Sequence, residues 1–121
     1  MSAVRISHVM LDAADPEALA PFWCGLLGTE IAARFDGDRF VFLRPAGEAE
    51  PALGIQKVPE PKTIKNRMHV DLEVDDLEAS TRWVRRHGGS RIADRETAGV
   101  HWRVMADPEG NEFCLVPRSQ G

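Results

Sequence analysis

The sequence predicts an α+β protein made of two βαβββ modules in one domain, their sheets curving around a shared cup. Two observations predict it. The chain repeats itself: sliding it by 61 residues lays Ser7–Ile31 over Met68–Ile92 with eight identities in twenty-five positions, where ordinary residue usage gives about one or two. In both copies an apolar/polar alternation of period two gives way, just after an aspartate, to an apolar pattern of helical period. A strand therefore feeds a helix in each half.

Taken in order, Val4–Ala13 reads as the first strand. Asp15 and Pro16 then stand as N-cap and first helical residue, and Leu19, Phe22, Trp23, Leu26 and Leu27 form a stripe that runs up to Gly28. Pro21 falls inside this helix, where it lacks a donor and crowds the preceding turn, so a kink or a later start is expected. Glu30–Phe35 and Arg39–Arg44 flank Asp36-Gly37-Asp38 as a hairpin, and a fourth strand follows near Ala52–Val58. A proline-rich polar linker at 59–66 separates module one (4–58) from module two (67–117). The second module repeats the plan with strand Arg67–Asp75, helix Leu77–His87 capped by Asp76, strand Arg91–Arg95, strand Val100–Ala106, the turn DPEGN and strand Glu112–Val116.

At 121 residues there is room for one domain, in which each module is half of one core. A formal charge of −4 with both signs dispersed offers no basic stripe for phosphates and argues against nucleic acid as partner. No apolar run approaches a membrane span, and the chain opens into a strand instead of a signal-peptide core. Two cysteines, Cys24 and Cys114, are too few for a disulfide scaffold and suggest thiols in a reducing, cytoplasmic setting.

Alternation sorts the strand residues into two faces. The helix-covered side takes Val9, Leu11, Leu53, Ile55, Val70, Leu72, Phe113 and Leu115. The other side collects His8, Gln56, His69 and Cys114, which the repeat pairs as His8 with His69 (offset 61) and Gln56 with Cys114 (offset 58). Met10 and Asp12 share the face of His8, and Asp71 that of His69, where it orients the ring, acts as base or forms an ion pair. On the third strand of each module Phe40 and Phe42 are matched to Arg103 and Met105, an apolar wall opposite a guanidinium fork for an anionic group, with His101 just before it. Trp23, Trp83 and Trp102 read as core and helix-packing residues.

The βαβββ–βαβββ order, the HVxLxxxD starts, the LGTE and GGSR helix exits and the DPEGNEF turn together resemble the vicinal oxygen chelate superfamily, which includes the glyoxalase, bleomycin-resistance and extradiol dioxygenase families. The similarity covers nearly the whole chain. It implies the cup-shaped mixed sheet of those families, while their chemistries are too varied for the fold to name one.

Metal-dependent members place His, Glu or Gln ligands on the first and last strand of each module. Carried over, those places are His8, Gln56, His69 and Cys114, a set for zinc, iron, nickel or manganese, or for no metal at all. Cys114 departs from the pattern, because the catalytic members usually have a carboxylate there; a thiolate favours zinc or copper, and a buried unligated thiol leaves three ligands. The resemblance therefore implies either a metal-dependent lyase, isomerase or dioxygenase acting on a small organic molecule, or a drug-sequestering binding protein without metal or turnover. It also implies a homodimer.

Overall fold

The computed structural model describes residues 4–118. By its contacts the chain forms two compact units, the first ending at Pro61 and the second beginning at Lys62. Each is a four-stranded mixed sheet with one helix on one face.

In the first unit the strands are β1 (His8–Ala13), β2 (Ile31–Phe35), β3 (Phe40–Leu43) and β4 (Ala52–Lys57), in the order β1-β4-β3-β2, and helix α1 is Pro16–Leu27. β1 and β4 run parallel, which requires a crossover, and α1 lies within that crossover. Leu19, Phe22 and Trp23 of α1 are buried with Val41, Leu43 and Ile55, so the helix stripe meets the odd-numbered residues of β3 and β4. The Asp15 carboxylate accepts from the Ala18 N–H at 3.2 Å, and Gly28 ends the helix in the left-handed conformation (φ 68°). The helix does not start late: it begins at Pro16 and continues past Pro21 to Leu27. The one hydrogen bond Pro21 cannot donate is outweighed by the cap behind it and the buried aromatic face around it.

The second unit has β5 (Asp71–Val74), α2 (Leu77–Arg86), β6 (Ser90–Thr97), β7 (Val100–Ala106) and β8 (Glu112–Pro117), in the order β5-β8-β7-β6. Its core is Val84, Met105, Phe113 and Leu115, all buried. Asp76 caps α2 through the Ala79 N–H at 3.0 Å. Gly89 after the helix is held by close approach: a Cβ there would stand 2.5 Å from Val84 Cγ1 and 2.7 Å from the Ala106 carbonyl oxygen. The DPEGN turn closes on Asp107, whose Oδ1 accepts from the Glu109 and Asn111 N–H groups at 2.9 Å.

Both first strands are shorter than alternation suggests. Pairing begins at His8 in one unit and Asp71 in the other, where the parallel partner begins to supply ladder groups, and the Asn66 N–H goes to the Glu112 carboxylate instead of a ladder. The outer strand of each sheet carries a bulge at the same place, between Ile31 and Ala33 and between Arg91 and Ala93.

Register fixes which residues of the two units are equivalent. β4 at Ala52–Lys57 lies over β8 at Glu112–Pro117, sixty residues on, so Cys114 corresponds to Gly54 and Gln56 to Val116. The expected match of Gln56 with Cys114 is two residues out. Phe42 pairs with Gly54 and Val104 with Cys114, which makes Val104 the counterpart of Phe42 and Trp102 that of Phe40. The expected match of Phe40 and Phe42 with Arg103 and Met105 is therefore one residue out, and a slip of one turns a strand residue to the opposite face. Its source is the loops: Leu43 is followed by eight residues before β4, but Ala106 by five before β8. Pro45 and Gly47 match Pro108 and Gly110 at an offset of 63, but these residues lie in the loops and their match does not carry into the strands.

Candidate functional site

The face of the first sheet away from α1 presents His8, Met10 and Asp12 from β1, Phe40 and Phe42 from β3, and Gly54 and Gln56 from β4, with Met10, Gly54 and Phe42 in one cross-strand row and Asp12, Gln56 and Phe40 in the next. Phe40 and Phe42, two residues apart and so on the same side, hold their rings nearly parallel (7°) with centroids 6.2 Å apart. The His8 ring meets Phe42 edge-on at 5.1 Å, and the Arg39 guanidinium lies over Phe40 at 5.8 Å. Gly54 is what lets this layer close down on the sheet: a Cβ there would stand 2.5 Å from Met10 Sδ and 3.0 Å from a Phe42 ring carbon. The result is a half-exposed aromatic and thioether platform bordered by polar Asp12 and Gln56.

The corresponding face of the second sheet is polar along β5, where Asp71 and Glu73 alternate with Leu72 and Val74. Parallel pairing sets Asp71 beside Cys114, and His69, just ahead of β5, brings Nε2 to 3.2 Å from Asp71 Oδ1. Among the described residues, one group of three such donors converges: the His69 nitrogen, an Asp71 oxygen and Cys114 Sγ, all within 4.8 Å of one another. Cys114 is buried while His69 and Asp71 are exposed. Burial pushes the Cys114 thiol up to about 11, helped by the Asp71 charge and by a hydrogen bond the thiol donates to that carboxylate, so without a metal the sulfur is protonated at neutral pH.

Four residues on or near this face escape the sequence reading. Val104 and Trp102 stand where Arg103 and Met105 were expected. Glu112 shares the face of Cys114, two residues earlier on β8; it accepts from the Asn66 N–H at 2.7 Å and lies 3.6 Å from Lys62 Nζ. That N–H, with the nearby Lys62 and Lys65 charges, holds its carboxyl below the usual range. Alternation along β8 from Cys114 is the signal that finds Glu112, and Lys65 is found only through the fold.

Arg103 and Met105 lie on the other side, under α2. Met105 is fully buried, and the Arg103 fork is filled: Nε donates to Asp94 at 2.8 Å, and Nη1 to Glu78 at 3.1 Å and to the Thr81 hydroxyl at 3.0 Å. Three of its five N–H groups are spent on these partners, and the group lies on the helix side of the sheet, away from the open face. Asp94, held by Arg103 and then by Arg91, has its carboxyl below the ordinary value. His101 falls on the same side as Arg103 by alternation, exposed at the far end of β7.

A family model described as the glyoxalase-like domain matches residues 8–116. The chain belongs to the glyoxalase-like domain family. A glyoxylase-like domain-containing protein of Didymella fabae is 26% identical over 122 residues, covering 94% of each chain. Among solved structures, the antibiotic-binding protein TnmS3 of Streptomyces sp. CB03234 matches with a TM-score of 0.71 at 19% identity, over 98% of this chain and 99% of that one. The trypanothione-dependent glyoxalase I of Leishmania major matches with a TM-score of 0.70 at 19% identity, over 95% and 87%. At such identities these likenesses establish the glyoxalase/bleomycin-resistance fold, which carries catalysts and binders alike.

Proposed function

We propose that the protein binds a small, flat organic molecule on the open face of its first sheet. One observation carries this reading: the parallel Phe40 and Phe42 rings with His8 edge-on and Met10 folded over Gly54. Such a surface gains dispersion and quadrupole contact from a planar ring, and Asp12 and Gln56 at its border supply polar orientation. The antibiotic-binding relative is consistent with sequestration without turnover. The test uses an anilinonaphthalene dye as probe, followed by dye fluorescence on the full chain. Saturable binding that weakens about tenfold or more in Phe40→Ala/Phe42→Ala is the expected result, each lost aromatic contact being worth about 0.5–1.5 kcal/mol. Unchanged affinity in a folded double variant would overturn it.

A second reading, favoured by the convergence of His69, Asp71 and Cys114, is a metal-dependent lyase, isomerase or dioxygenase. A metal held by these three residues would supply Lewis-acid polarisation of substrate oxygens. The chain's residues then hold and orient: His69 and Asp71 at the rim, Cys114 at the floor. We further propose that the protein acts in the cytoplasm as a pair of identical chains; a light-scattering mass of two chains is the result expected for the pairing, and a mass of one chain would overturn it.

A further inference from the structure

We infer that the second unit by itself supplies a complete three-donor site for a thiophilic divalent metal, formed by His69, Asp71 and Cys114 with no ligand from the first unit. The inference rests on the metal-dependent reading above and narrows it to a metal class and a donor set.

The geometry is the first support. Bonds of about 2.0–2.3 Å put neighbouring ligand atoms of a tetrahedral zinc about 3.3–3.8 Å apart. His69 Nε2 and Asp71 Oδ1 already stand at 3.2 Å, and Cys114 Sγ completes a set whose members all lie within 4.8 Å of one another. Asp71 and Cys114 are cross-strand partners in a parallel ladder, so their side chains leave the sheet together from a rigid support. The buried sulfur forms a floor, and the exposed imidazole and carboxylate leave the rim open to an entering ion.

The donor types are the second. One nitrogen, one oxygen and one sulfur suit zinc or cobalt and disfavour magnesium, calcium or manganese, which take oxygen. Three protein donors leave a coordination position for water or a substrate oxygen. Glu112, another carboxylate on this face, is engaged by the Asn66 N–H and Lys62. The third support is the duplication: where the second unit has Asp71 and Cys114, the first has Met10 and Gly54, so the carboxylate–thiol pair is not repeated at the equivalent positions of the first sheet.

The test is a cobalt(II) titration of the full chain, purified without a histidine tag and stripped with chelator, followed in the near-ultraviolet and visible. Stoichiometric uptake with a thiolate-to-cobalt charge-transfer band, displaced by zinc, is expected. The band should vanish in Cys114→Ser and weaken in Asp71→Asn, an exposed position whose replacement keeps the fold, while His8→Ala should leave the spectrum whole. Uptake without the band, or its loss in His8→Ala, would overturn the inference while leaving a metal-dependent protein. Absence of any uptake would remove the metal-dependent reading as well, and leave the aromatic platform untouched.

Discussion

Where the first sheet has Gly54 the second has Cys114, and around that position Met10 corresponds to Asp71, Phe42 to Val104, Phe40 to Trp102 and Gln56 to Val116. Only the histidines, His8 and His69, repeat. On the helix-covered side the units stay alike: Leu53 and Ile55 answer to Phe113 and Leu115, all buried. Packing against a helix leaves few acceptable volumes, whereas an open face can change chemistry without disturbing the core. Duplication has thus preserved the scaffold twice and let its open surface become an aromatic platform once and a cluster of histidine, aspartate and cysteine once.

The same contrast appears in the arginines that reach the two helices. Glu17 and Glu78 are equivalent in the repeat, and each receives a guanidinium. In the first unit it comes from Arg34 on β2, half exposed, at 2.6 Å. In the second it comes from Arg103 on β7, whose side chain is 8% exposed and bonds Asp94 and Thr81 as well. One pair is a surface contact, the other part of the packing.

The comparison breaks first if the cores differ. Ile55→Ala and Leu115→Ala remove equivalent, fully buried side chains, and each should cost about 2–5 kcal/mol by denaturant unfolding; a near-neutral result at either would show that the units are not packed alike. Next, Arg103→Ala should cost about 2–3 kcal/mol, less than for a wholly buried pair because the orphaned Asp94 and Glu78 carboxylates reach water, against less than about 1 kcal/mol for Glu17→Gln. Dye and cobalt binding should be unaffected by Arg103→Ala, as its place under α2 requires. The smallest effect is absent at neutral pH. The folded Cys114 thiol ionises only near 11 and the unfolded one near 9, so the unfolded chain loses its proton first. Stability should fall as pH rises from about 9 to about 11. Cys114→Ala should flatten that decline, leaving a residue from Cys24, whose thiol burial also pushes up; an identical slope in the variant would mean that the sulfur is not buried in solution.

Much of this was legible in the residues. The repeat, both aspartate caps, the glycine exit of α1 and the inward faces of β4 and β8 follow from period and local hydrogen-bonding chemistry, which act over a few residues. The platform residues Met10, Phe40 and Phe42 and the placing of Asp71 with His69 also follow from alternation alone.

What tertiary structure decided is the facing of β7 and the partners that follow from it. Arg103 belongs under the helix and not on the open face because strand register is set by the length of the connecting turn. The two turns differ in length, and a shift of one residue reverses every side chain beyond it. Likewise Cys114 answers to Gly54 and meets Asp71 because β8 pairs with β5. That is a contact between residues far apart in the chain, which no local pattern encodes.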